Sequence, residues 1–134
     1  MLALTAAAMV LAIVGLSAAE HWIYPAKDQD IHAVLAELDR REGGRLAPVR
    51  DVTAAACGNG RCRQAVSTGG DGLFVRFATR ELAAQSAARE AEVPGREAYR
   101  SEWVVVSYPA GTPARDIALF REIFPESEKS SPGA

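Results

Sequence analysis

Cys57 and Cys62 are the residues of this chain best placed to do chemistry, and only Gly58-Asn59-Gly60-Arg61 separates them. An Asn-Gly dipeptide favours a tight turn because both central positions of that turn need a positive φ. Such a turn brings opposed Cβ atoms within the roughly 3.5–4.5 Å that a disulfide requires. The sequence therefore predicts a β-hairpin with Cys57 and Cys62 facing each other across it, closed by a disulfide. Closing a loop this short contributes about 2 kcal/mol by the chain-entropy argument. The rival is a redox-active pair, whose thiolate Arg61 and Arg63 would favour. It lacks the Cys-x-x-Cys spacing at a helix N-terminus that lowers a thiol pKa most.

The remaining polar residues form no comparable set. A zinc site would have to recruit His21 and His32, whose ten intervening residues match no usual ligand spacing. Gly69-Gly70-Asp71-Gly72 is rich in glycine, yet no Lys-Ser/Thr follows and the next element reads as a strand. It is a turn rather than a phosphate cradle. Asp71, Glu97, Glu102 and Asp116 can be paired only on paper in a chain with 17 acidic residues. Trp103 and Tyr108 read as a core tryptophan and a strand-end tyrosine before they read as a ligand cleft. Arg76 and Arg80 flank a strand end where they could meet an anion, or serve as ordinary surface charge. The sequence assigns no catalytic residue, no cofactor site and no metal site. With a net charge of −2 and the two signs interspersed, it also lacks the basic stripe of a nucleic-acid binder.

Placement comes from the N-terminus. Residues 2–19 (LALTAAAMVLAIVGLSAA) carry no charge over 18 positions. As a helix they would span roughly 27 Å, close to the ~30 Å hydrocarbon core. Trp22 and Tyr24 follow, where amphipathic rings sit at headgroup level. The run reads as an uncleaved transmembrane anchor (residues 1–24). The alternative is a secretory signal cut after Ala19, since Ser17 and Ala19 satisfy the −3/−1 pattern although no Lys or Arg precedes the run. Lys27, with Arg40 and Arg41 beyond it, weakly favours a cytoplasmic domain by the positive-inside rule. The cysteine pair favours an oxidising compartment and hence the extracytoplasmic side, and this second argument decides the expectation.

After a hinge at residues 25–29, the expected domain covers residues 30–125. Asp28 or Asp30 caps a helix whose Ile31, Val34, Leu35 and Leu38 recur at i, i+3, i+4 and i+7. Glu37 and Arg41 form an i,i+4 pair on it, and Gly43-Gly44 ends it. The cysteine hairpin and the Gly69–Gly72 turn lead to a strand alternating Leu73, Val75 and Phe77 with Phe74 and Arg76. Thr79 caps a helix over 80–91 whose inward stripe is Leu82, Ala83, Ser86 and Ala87. Residues 99–108 (YRSEWVVVSY) read as one central strand. Thr112 as N-cap and Pro113 at N1 open a last helix carrying Ile117, Phe120, Ile123 and Phe124. Residues 126–134 read as a disordered tail. The fold class is α+β in the order α-β-β-β-α-β-α, a three- to four-stranded sheet with helices mainly on one face.

Thirteen of the 15 basic residues are Arg, a bias that GC-rich bacterial genomes impose. Over residues 30–124, with Cys57, Cys62 and Trp103 as its marks, the pattern resembles small exported or membrane-anchored actinobacterial proteins of uncharacterised function. The two cysteines sit closer together here than in such proteins. The resemblance implies location and general shape, and no activity.

The expected function is that of a non-enzymatic, membrane-tethered extracytoplasmic domain that contacts another protein, as an accessory subunit of a membrane or envelope complex. A thiol–disulfide redox protein using Cys57 and Cys62, and a small-ligand or lipid-binding module, are the alternatives. Expressed at full length in its own cell, the chain is expected to sediment with membranes and to leave them only on addition of detergent. Intact protein in a detergent-free cytosolic fraction would contradict the anchor.

Overall fold

The computed structural model describes residues 27–128, and the apolar run 2–19 with Trp22 and Tyr24 lies outside them. Among the described residues no helix is long and apolar enough to cross a membrane. The elements are α1 (Ile31–Arg41), β1 (Arg50–Asp51), α2 (Thr53–Cys57), β2 (Gln64–Ser67), a 3₁₀ turn (Gly69–Asp71), β3 (Leu73–Arg76), α3 (Arg80–Ala91), β4 (Arg96–Ser101), β5 (Val104–Pro109) and α4 (Ala114–Ile123). The class is α+β, with five strands in the order β1-β2-β3-β5-β4 and every neighbouring pair antiparallel.

β5 is central, and Val104, Val105 and Val106 are at most 1 % exposed. Their alternation divides the core, because successive strand residues face opposite sides. Val104 and Val106 join Phe74, Val66 and Tyr99 beneath α1 and α4, with Ile31, Val34, Leu35, Leu38, Phe120, Ile123 and Phe124 packed over them. Val105 joins Ala65, Phe77, Ala83 and the two cysteines on the other face. Phe74 meets Phe120 edge-on at 5.1 Å between ring centroids, a geometry that aligns positive ring edge with negative ring face.

The expectation of helices mainly on one face is corrected: α1 and α4 cover one face, and α3 with the disulfide loop lies on the other. The strand count is corrected as well. The stretch 99–108 is not one strand but a hairpin, because Glu102 takes a φ of +53° and reverses the chain between β4 and β5. Val104–Val106 are central and doubly covered as expected, whereas Trp103 sits half-buried in the turn. β4 carries no strand signal of its own because Arg96, Glu97 and Arg100 dilute its apolar alternation, as an edge strand tolerates. β1 is two residues long, too short for any periodicity.

Local signals set the helix ends. The Asp30 carboxylate accepts from the His32 and Ala33 backbone N–H groups and so caps α1. Gln64 locks this end to the sheet: its side-chain amide donates to Asp30 at 2.7 Å and its carbonyl accepts from the Ile31 N–H at 2.9 Å. Glu37 pairs with Arg40 rather than with Arg41. Thr79 caps α3 as expected, its hydroxyl accepting from Leu82 N–H. At α4 the first helical residue is Ala114 and Pro113 takes the cap position, while the Thr112 hydroxyl donates backwards to the Pro109 carbonyl at 2.7 Å. Gly69 is required by close approach, since its N–H donates to the Leu46 carbonyl at 2.8 Å and a Cβ there would run into the Ala47 carbonyl oxygen. Residues 126–128 lie along β4, with Ser127 N–H donating to the Arg100 carbonyl at 2.7 Å.

The hydrogen bond from Gln64, opposed in part by burial and aided by the Ala33 and His32 N–H groups, holds the Asp30 carboxyl below its ordinary range. A depressed folded pKa contributes stability that is complete above the unfolded value near 4 and disappears as pH falls through the folded value. Asp30→Ala should therefore cost about 1 kcal/mol at neutral pH. The gap between variant and wild type in urea denaturation should close as the pH is lowered below about 4. A gap unchanged down to acid pH would contradict the assignment.

Candidate functional site

The unequal cover of the sheet creates the candidate site. On the face opposite α1 and α4, α3 lies over β4 and β5 because its Ala83 and Ala87 are small enough to approach Val105 and Ala98. Among the described residues no helix of comparable length covers β3 and β2 on that side. The floor there is Leu73, Val75 and Phe77, which share one face of the chain through their period of two. One wall is α3, through Leu82, Ser86 and Arg89, with Val93 just beyond its end. The other wall is the disulfide loop, through Ala56, Arg61 and Cys62. Together they enclose a trough of about 590 Å³.

Two apolar side chains stand exposed at the rim of the trough. Leu82 and Val93 are the large hydrophobic residues left exposed among the described ones, at 40 % and 41 %. The expectation that Leu82 lies in the buried stripe is thus corrected: Ala83 and Ala87 face the sheet, and Leu82 turns sideways to the trough. Arg61 and Arg89 stand exposed at its two sides, and neither has an ion pair among the described residues. Glu90, also at the rim, is engaged by Arg96 at 3.9 Å and by the Ser107 hydroxyl at 3.3 Å. The trough therefore has an apolar floor, mixed walls that include Gln85 and Ser86, and two arginines at its margin.

The cysteines are bonded, with a Cα–Cα separation of 4.9 Å. The predicted hairpin geometry is corrected. Cys57 ends the short helix α2, and Gly60, at φ +79°, donates its N–H back to the Cys57 carbonyl at 2.9 Å. Asn59 keeps a negative φ and its side chain instead accepts from Arg61 N–H at 3.2 Å. The Ala54–Ala56 run took the helical option that alanine favours. The pair is 7 % and 9 % exposed, so burial shields the bond from solvent. The bond joins α2 to the approach of β2 and forms the wall of the trough.

The other candidates disperse. Asp116 pairs with Arg45, and Glu102 pairs with Arg80 at 2.8 Å and accepts from the Ser127 hydroxyl at 3.2 Å. Asp71 and Glu97 are exposed at separate places. Trp103 and Tyr108 do not meet: Arg80 lies over the Trp103 ring at 4.5 Å, whereas Tyr108 is buried beside Phe120. Arg76 and Arg80 form no shared site, since Arg76 donates to the Lys27 carbonyl at 2.8 Å and Arg80 serves Glu102. Among the described residues no cluster of His, Cys, Asp or Glu could hold a metal ion, and His21 lies outside them. Burial pushes the Tyr99 phenol far up, and its hydroxyl donates to the Phe124 carbonyl at 2.8 Å, a structural bond in the core.

Compared with known proteins, the chain matches no family model, no curated protein and no solved structure.

The staple is testable. Replacing both cysteines by Ala should lower the urea-unfolding free energy by about 2 kcal/mol, the entropy of the closed loop. It should also loosen the trough wall, seen as faster amide exchange over residues 54–62. Unchanged stability and exchange would contradict a structural role for the bond.

Proposed function

We propose that the chain is a membrane-tethered, extracytoplasmic, non-enzymatic domain that binds a partner protein through the trough between α3 and the disulfide loop. The observation that carries the reading is at the rim: Leu82 and Val93 stay exposed beside a floor of Leu73, Val75 and Phe77. Leaving such side chains in water forgoes roughly 25 cal/mol for each Å² of apolar surface, which a partner recovers. Arg61 and Arg89 at the margin select a partner whose apolar anchor is flanked by acidic residues, since complementary rim charges raise encounter rates and exclude like-charged competitors. The tether in residues 2–19 confines the search to the membrane surface and raises the local concentration of any membrane-bound partner. The disulfide supports the extracytoplasmic side, because such bonds persist in oxidising compartments.

A second reading has its own support. A concavity of about 590 Å³ with an apolar floor is within the size range of small-ligand sites. The two readings separate in one experiment. A photo-crosslinking residue placed at position 82 of the full chain, in its own membranes, should yield a discrete protein adduct. The same group at Ala118, exposed on α4, should not. Val93→Asp, at an exposed position where folding cost is within about 0.5 kcal/mol, should abolish the adduct. A small-molecule adduct at position 82 would shift the reading to ligand binding, and labelling equal to that at position 118 would overturn both.

A further inference from the structure

The sheet ends on β4, and the outer side of that strand is largely unpaired. The other edge, β1, is two residues long, whereas β4 runs for six. Antiparallel neighbours bond through alternate residues. The Gly95 carbonyl accepts from Ala110 N–H at 2.8 Å, so the register gives the bonds with β5 to Glu97, Tyr99 and Ser101. Arg96, Ala98 and Arg100 therefore turn their N–H and C=O groups outward. Some of these are satisfied within the chain: Arg96 N–H donates to the Val93 carbonyl at 3.2 Å, and the Arg100 carbonyl accepts from Ser127 N–H at 2.7 Å. The Arg96 carbonyl, both backbone groups of Ala98 and the Arg100 N–H find no partner among the described residues. An edge of this kind is a template for another strand.

The free groups are self-complementary. With two copies of β4 antiparallel and Ala98 opposite Ala98, each Ala98 N–H meets the carbonyl of the other Ala98, and each Arg100 N–H meets the Arg96 carbonyl of the other copy. The groups already satisfied, Arg96 N–H and the Arg100 carbonyl, face each other in that register, so every outward group has a partner. Beside the edge lies a groove of about 610 Å³ whose helical wall is Ala84, Ala88 and Ala91, so no bulky side chain of α3 stands against an incoming strand. The charges also suit a second copy. Arg96, Arg100 and Arg121 balance Glu97, Glu126 and Glu128 in number, which favours no partner of one sign. Glu97, exposed and without an ion pair among the described residues, falls opposite Tyr99 of the other copy, whose ring carries the Arg121 guanidinium at 4.6 Å. Arg96 and Arg100 oppose each other, a destabilising arrangement for free charges. Each is held by its own chain, Arg96 on the Ser107 hydroxyl at 2.9 Å and Arg100 on the Glu102 carbonyl at 3.1 Å.

We propose that β4 is a self-association edge: two copies of this chain pair their β4 strands antiparallel through Ala98 and share one continuous sheet. The inference rests on neither the tether nor the trough, since the trough lies on the other side of α3. Each dimer then carries two troughs.

Cys57 and Cys62 are bonded to each other, so a cysteine introduced elsewhere reports contact between copies. In the paired register the two Ala98 Cα atoms stand ~5.5 Å apart, within disulfide reach. Full-length Ala98→Cys, oxidised mildly in the cells that make it, should give a disulfide-linked dimer. Ala118→Cys, exposed on α4, should not. Ala98→Pro removes the outward N–H at a place where an edge strand accepts proline. By sedimentation equilibrium of the full chain it should raise the dissociation constant of the dimer about thirtyfold, the equivalent of two hydrogen bonds at ~1 kcal/mol each. Amide protection in β5 should stay unchanged, which shows that the variant is folded. No linked dimer at position 98, or equal linkage at 98 and 118, would overturn the pairing. So would a folded Ala98→Pro chain that associates as tightly as wild type. The adduct at position 82 is read in a separate experiment, so failure of the pairing is distinguishable from failure of the trough.

Discussion

The fold depends on burying β5 from both sides while covering the sheet unequally. Val104 and Val106 need the helices α1 and α4 beneath them, and Val105 needs α3 and the disulfide loop above it. The first face receives large side chains, including Phe74, Phe120 and Phe124. The second receives mostly alanine, cysteine and valine around Phe77. Small residues let α3 lie close to β4 and β5, and a close helix is a narrow cover. The open trough over β3 is thus the other side of the alanine content of α3.

This asymmetry gives the disulfide its place. A chain of this size buries a modest fraction of its surface, and the thinner face has the least to hold it. The bond ties α2 to β2 at the edge of that face, where packing alone is weakest. It also works beside Gln64, which joins β2 to the α1 cap through hydrogen bonds on the opposite side of the sheet. One short segment, residues 57–64, is thereby fastened to both layers, and it carries Arg61 and Arg63 into the same region as Trp103. The trough wall is a consequence of a single constrained loop.

Much of this was legible in residue order. The α1 face of Ile31, Val34, Leu35 and Leu38, the Thr79 cap, the Gly69–Gly72 turn and the apolar face of α4 are strong local signals that tertiary contacts did not override. The disulfide followed from spacing, but its setting did not: alanine propensity over Ala54–Ala56 outweighed the hairpin signal of Asn59-Gly60. The β4–β5 hairpin was hidden because its turn uses Glu102 at positive φ, where Gly or Asn is the usual sign. That conformation is held by Arg80 and Ser127, at distances of 22 and 25 positions along the chain, and no local window contains them. With β4 unseen, the number of strands and the two-sided cover could not be counted. The trough escaped for the same reason. Leu82 belongs to a helix with an apolar stripe, and only the position of α3 over β4 and β5 shows that it faces sideways.

Hydrogen exchange measured residue by residue on the full chain tests the two-sided burial of β5 most directly. The account predicts the slowest amides in β5 at Val104–Val106 and in β3 beside it, approaching the global unfolding free energy. It predicts markedly faster exchange in β1 and α2, on the thinly covered side. Rapid exchange in β5, or equal protection across all five strands, would contradict it.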